Sequence, residues 1–214
     1  MEQEIIVDVC QVNLELEKER LLSNISVQFE RGKIYGIIGR NGSGKTLLFK
    51  CICGYIKPTS GLVTVNGKII GKDVDFPDNT GMIIETPGFV AKDSGYVNLK
   101  HLADIRKRIG KEQIYESMRF AGLDPENKKP VKKYSLGMRQ RLGLAQAVME
   151  DPSLLVLDEP MNGLDKEGVE DMRKYLLRLK EEGKTILLAS HNSEDIEKLC
   201  DKVYEMDKGV LTSV

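Results

Sequence analysis

The chain has 214 residues, 30% of them charged and 41% apolar, and its formal net charge is -1. That size supports one sizeable core with room for a small subdomain, and the even charge balance excludes capture of nucleic acid by bulk electrostatics. No apolar run approaches the ~20 residues that span a bilayer, and the acidic start Met1-Glu2-Gln3-Glu4 has neither the basic nor the apolar part of a secretory signal, so a cytosolic protein is expected.

In chain order, residues 5–9 (Ile-Ile-Val-Asp-Val) and 25–29 (Ile-Ser-Val-Gln-Phe) have the β-branched character of strands. A hydrophobic strand-like run, residues 34–38, then meets Gly39, Arg40, Asn41, Gly42, Ser43, Gly44, Lys45 and Thr46. This is the complete pattern G-x-x-x-x-G-K-[ST], followed by a helix-like run over residues 47–52. Its glycines let successive N–H groups converge on an anion, and the helix start adds partial positive charge. Lys45 can reach terminal phosphates and the Thr46 hydroxyl can hold Mg²⁺. Residues 61–70 read as a hairpin, with Asn66-Gly67 suited to a type I′ turn.

From about residue 90 to 150 the pattern turns helical, over residues 100–109 and 112–121, as a helical subdomain set into an α/β frame. The basic run Lys128-Lys129-Pro130-Val131-Lys132-Lys133 is expected to be a solvated, mobile loop. Ser135 is suited to cap a helix carrying Leu142, Leu144 and Val148, and Gly137 leaves its backbone open to close approach. Residues 154–157 form a buried strand ending in two carboxylates. Asp158 is suited to hold Mg²⁺ and Glu159 to orient or deprotonate a water. Val169, Met172, Leu176 and Leu179 share one helix face that Gly183 stops. Residues 185–189 form another buried strand, and a closing hairpin turns at Asp207-Lys208-Gly209. Buried strands alternating with helices argue for a parallel sheet covered on both faces. Cys10, Cys51, Cys53 and Cys200 are expected to be reduced structural thiols.

Together these motifs resemble the nucleotide-binding domain of ATP-binding-cassette (ABC) transporters, from about residue 5 to residue 212. Residues 39–46 match Walker A, residues 154–159 Walker B, Tyr134-Ser135-Leu136-Gly137-Met138 the signature, and residues 160–165 the D-loop with Asp165. His191 sits at the switch histidine. The resemblance implies a P-loop α/β cassette of one domain. Its core and antiparallel β region would take residues 1–89 and 151–214, and its helical subdomain residues 90–150. It further implies a head-to-tail homodimer or heterodimer trapping ATP and Mg²⁺ between phosphate loops and opposing signatures. Hydrolysis would be assisted by Glu159 and His191, and transmembrane permease subunits would hold the protein peripherally at the inner face of the membrane.

Three departures from the family pattern stand out. Leu16 falls where an aromatic often stacks on adenine, Leu136 and Met138 replace the usual Gly and Gln of the signature, and Glu85 replaces the Q-loop glutamine. A glutamate there can coordinate Mg²⁺, which makes Glu85 a metal-dependent switch between core and helical insert. Residues 84–89 (Ile-Glu-Thr-Pro-Gly-Phe) look like a bacterial branch that includes bacitracin and lantibiotic self-protection exporters. The rival readings are a soluble, non-transporting ABC ATPase and a weakly hydrolysing regulatory cassette. The end of the chain directly after the last hairpin leads to the expectation of no C-terminal regulatory domain.

Overall fold

The computed structural model of the protein describes residues 4–85 and 88–214. Met1, Glu2 and Gln3 of the acidic start, and Thr86 and Pro87 of the Q-loop stretch, lie outside the described residues. The chain opens with two long antiparallel strands, β1 (Ile5–Leu16) and β2 (Glu19–Glu30). They turn through Glu17 and Lys18, both at positive φ, and register shifts along the pair accompany positive φ at Gln11 and Asn24. With β4 (Ser60–Val65) and β5 (Lys68–Ile69) they form a sheet ordered β2-β1-β4-β5. Asn66 and Gly67 join β4 to β5 at φ 50 and 76, as a type I′ turn requires.

The second sheet is ordered β10-β9-β3-β8-β7-β6. Its strands are β3 (Ile34–Ile38), β6 (Thr80–Ile83), β7 (Leu154–Asp158), β8 (Thr185–Ala189), β9 (Lys202–Asp207) and β10 (Val210–Ser213). All neighbours are parallel except the edge hairpin β9–β10. β7 and β8 are buried along their whole length. Leu154, Val156 and Leu187 point into a core shared with the antiparallel sheet and α1 (Lys45–Ile52). Leu155, Leu157, Ile186 and Leu188 point into the other core.

That second core is closed by α2 (Gly95–Arg106), α3 (Lys111–Phe120), α4 (Leu136–Val148) and α5 (Lys166–Glu181), with Leu199 of α6 (Ser193–Leu199). α2 starts five residues earlier than the apolar pattern indicates, because Ser94 accepts the Val97 N–H and caps it there. Among the described residues no helix is long and apolar enough to cross a membrane.

The basic run is not a mobile loop. Residues Val131–Lys133 make a 3₁₀ turn, Val131 is buried, and the N–H groups of Val131 and Lys132 each donate at 2.8 Å to Asp93 and Ala91. The buried valine anchors the segment while its lysines stay in solvent. All four cysteines are free; burial pushes Cys51 up to about 11 and Cys53 and Cys200 to about 12, so these thiols are inert near neutral pH. Cys10 differs in being exposed.

Candidate functional site

β3 runs directly into the glycine loop, and the loop into α1. Gly39 has φ +148, and the Met206 carbonyl lies where a Cβ would project, so the turn admits no side chain there. Gly44 stands before α1 in a left-handed conformation with no side-chain cap. The first N–H groups of α1 are thus left facing the loop, with the positive end of the helix behind them. Lys45 is folded under this turn, only 6% exposed, and its Nζ donates to the carbonyls of Gly39 (2.7 Å) and Arg40 (3.2 Å).

Three adjacent parallel strands end beside the loop, where open α/β sheets gather ligands. β7 delivers Asp158, whose Oδ2 accepts the Thr46 hydroxyl at 2.6 Å. Burial raises the Asp158 carboxyl above the ordinary carboxylate range; the Thr46 hydroxyl opposes this and the neighbouring Glu159 charge adds to it. A carboxyl raised on folding loses stability as pH climbs from its unfolded toward its folded value. Asp158→Asn keeps an oxygen for Thr46 and removes the buried charge. Its Tm, measured without divalent cations, is therefore expected above the parent's at pH 7, with the gap closing as pH falls into the carboxylate range. An equal or lower Tm at pH 7 would contradict this.

Glu159 follows Asp158 at φ 51, a left-handed backbone that costs a non-glycine residue ~1–3 kcal/mol. It is held there because its N–H donates to Ala189 O at 3.0 Å across the β7–β8 edge. One carboxylate oxygen accepts His191 Nδ1 at 2.8 Å. The other, Oε1, is buried without a hydrogen-bond partner among the described residues, as are Ser43 Oγ and Gln140 Oε1. Glu85, just past β6, is also left-handed at φ 59, and its carboxylate pairs with Lys50 of α1 at 2.6 Å.

Residues 41–47, Glu85, Asp158 and Glu159 line one cleft of ≈ 510 Å³ together with Leu136, Gln140 and Asn162. Unpartnered buried oxygens on such a wall mark where a ligand's polar groups belong. Gln140, Asn162 and Lys50 had no assigned role in the sequence. Asn162 stands inside the D-loop stretch and Gln140 two residues past the signature, whereas nothing in the sequence pairs Lys50 with Glu85.

Other candidates stand outside the cleft. Ser135 caps α4 by accepting Met138 N–H at 3.2 Å, and Ser135, Gly137 and Met138 do not line it. Leu136, between them, does line the cleft and lies over Gly163, where it fills the place a Cβ would take. Asp165 caps α5 through the Gly168 N–H at 2.9 Å. Leu16 is 48% exposed at the end of β1. Gly39, Arg40 and His191 line a neighbouring cleft.

The ABC transporter family profile matches residues 22–162. Over 206 residues the chain is 42% identical to the uncharacterized ABC transporter ATP-binding protein YybJ of Bacillus subtilis (strain 168), covering 96% of this chain and 94% of that one. It is 38% identical over 213 residues to the bacitracin transport ATP-binding protein BcrA of Enterococcus faecalis, covering 99% of this chain and 69% of the relative. The fold matches the dimeric, post-hydrolysis ATP-binding cassette MJ0796 bound to ADP and Pi, with a TM-score of 0.86 at 19% identity over 97% of this chain and 98% of that one. With a glycine loop beside paired carboxylates and a histidine, a family profile matching about two thirds of its length and a relative 42% identical over nearly the whole of both chains, the chain belongs to the ABC transporter family, as an ATP-binding subunit that hydrolyses ATP.

Proposed function

We propose that two cassettes, this chain with a copy of itself or a related one, sandwich ATP head to tail and drive export of a peptide antibiotic of the bacitracin class through membrane permease subunits. The observation that carries the catalytic part is the convergence of Thr46, Asp158, Glu159 and His191 beside the glycine loop. The choice of a bacitracin-class substrate rests on the likeness to the bacitracin transport protein. The protein would then sit at the inner face of the membrane, held by its permease.

The residues fit Mg²⁺: a hydroxyl and a buried carboxylate lie 2.6 Å apart at the loop, with Glu85 on the same cleft wall. Thr46 and Asp158 would hold the ion, with Glu85 joining them on release from Lys50; when bound, the ion would offset phosphate charge. Glu159 orients the attacking water and takes its proton, and His191 holds the Glu159 carboxylate from behind and reaches the terminal phosphate. Lys45 and the N–H groups of the loop bind the phosphates. Ser135, Gly137 and Met138, which do not line their own cleft, close over the nucleotide of the opposing cassette. Asp165, at the head of α5, lies at the contact between cassettes. Expression of the chain with its membrane partner in a bacitracin-sensitive host tests the reading. Protection that Glu159→Gln abolishes is expected; unaltered sensitivity with an active ATPase would refute the export role.

Leu16 offers the base only an aliphatic contact. Base–aromatic stacking contributes ~1–3 kcal/mol in nucleic-acid sites, so ATP and GTP are expected to bind with similar affinity, and Leu16→Tyr to tighten ATP. Calorimetry with both nucleotides checks this, and a parental preference for ATP above about a hundredfold would mean that other residues read the base.

A further inference from the structure

We propose that Arg173, Asp195 and Ser190 form a strut that positions His191 for hydrolysis, a proposal that rests on the catalytic reading of His191. Arg173 lies on α5 and is 4% exposed, in a helix whose other inward residues are apolar. Its Nε and Nη2 both donate to Asp195 Oδ1, at 2.8 and 2.5 Å. Its Nη1 donates outward to Glu170 at 2.5 Å and Glu194 at 3.3 Å. Asp195 is 1% exposed, and its second oxygen receives the Ser190 hydroxyl at 3.4 Å. Ser190 Oγ in turn accepts the Asn192 N–H at 3.1 Å.

The histidine is thus flanked by anchored residues. Ala189, two positions before it, is tied through its carbonyl to the Glu159 N–H. Ser190 and Asn192, on either side of it, are tied to each other and to Asp195. His191 itself is exposed and makes its side-chain hydrogen bond to Glu159. The ring is largely exposed, so apart from that bond its aim depends on the short backbone segment that carries it.

A buried ion pair is a poor source of stability, since apolar residues of similar volume often serve as well or better. Stability alone therefore does not account for an arginine at position 173. What the pair supplies is direction: a fixed carboxylate whose free oxygen reaches the residue next to His191. The pair also joins that loop to α5, the helix that Asp165 caps at its head.

The test measures single-turnover ATP hydrolysis by the full chain at saturating and limiting ATP, for Ser190→Ala and Arg173→Met, each in the parent and in His191→Ala. Misplacement of a reacting group by about 1 Å costs up to ~10²-fold in rate. We expect Ser190→Ala to lower the maximal rate about tenfold and to leave the ATP half-saturation within about twofold. Arg173→Met should lose more. Both losses should vanish in the His191→Ala background, which a general structural defect would not do. Ser190→Ala removes one oxygen and leaves the ion pair intact, so it decides the matter even where Arg173→Met fails to fold. A His191→Ala chain as fast as the parent overturns the reading of His191 and the proposal with it. A His191-dependent chain untouched by Ser190→Ala, or one in which the losses persist without His191, overturns the proposal alone.

Discussion

Glu159→Gln is expected to bind ATP as the parent does and to hydrolyse it ~10²–10⁴-fold more slowly, the usual contribution of a positioned acid–base group. The substitution keeps the side chain's length and one oxygen, and the backbone of residue 159 is held by its own N–H bond to Ala189, so the left-handed turn survives. What disappears is the capacity of the unpartnered Oε1 to take a proton. With the bond-breaking step blocked, bound ATP persists, and the cassettes should accumulate as a pair held by the Ser135 turn of one over the loop of the other. Light scattering with ATP reads the pairing and phosphate release reads the chemistry. Hydrolysis within about threefold of the parent would remove Glu159 from the proton-accepting role.

Lys45→Ala is expected to weaken ATP binding by at least tenfold and to abolish turnover. Hydrogen bonds to charged groups contribute ~1.5–3 kcal/mol each, and Lys45 supplies more than its charge. It spans the loop from α1 back to the Gly39 and Arg40 carbonyls, so its ammonium also draws the glycine turn closed. Truncation loses the phosphate contact and loosens the N–H groups that would share the load. Thermal stability should change less by comparison, because neither Lys45 nor the glycine loop belongs to either apolar core. Calorimetry with Mg-ATP gives the affinity. Parental affinity together with parental turnover would overturn the phosphate-binding assignment.

The parts of the fold that were legible are those in which local chemistry and tertiary demand agree. Leu154, Leu155, Val156 and Leu157 are apolar in succession because both faces of β7 are covered. The face Val169, Met172, Leu176, Leu179 reads as one side of α5, and Gly183 takes the left-handed conformation that ends it. Ser135 caps α4 as its position ahead of an apolar run implies.

The features that escaped are those where a residue acts against its usual preference. The full length of β1 and β2 was hidden because their turn uses Glu17 and Lys18, which carry no signal for positive φ. Gln11 likewise carries none, whereas Asn24 is of a type that takes positive φ readily but stands next to an apolar run; both left-handed kinks accompany the register shifts, where Ser26 Oγ accepts the Gln11 N–H and Asn13 Oδ1 the Asn24 N–H. The first turns of α2 were obscured by Asn98, a buried polar residue whose amide bonds to both backbone groups of Val90. In the site, the glycine loop and the two carboxylates announce themselves through spacing. The Lys50–Glu85 and Arg173–Asp195 pairs do not, because a lysine or arginine on a helix reads as a solvated face until the partner element is placed against it.

Leu136, the signature residue that replaces a glycine, rests on Gly163, and the first atom a Cβ at Gly137 would meet belongs to Leu164. Two motifs 27 positions apart are therefore geared together like teeth: one side chain meshes with one missing side chain. A side chain at 163 would meet that of Leu136 and would also have to adopt φ +76, so a leucine at 136 requires the glycine at 163. The gearing also sets what a signature of this form can do. Its leucine cannot offer the flexible backbone of a double glycine, but it passes any displacement of the serine turn straight to the residues leading into α5. In the proposed pair of cassettes, closure over one nucleotide would then be felt along the segment leading into α5 of the chain that contributes the serine, beside its own cleft, whose wall includes Leu136 and Asn162.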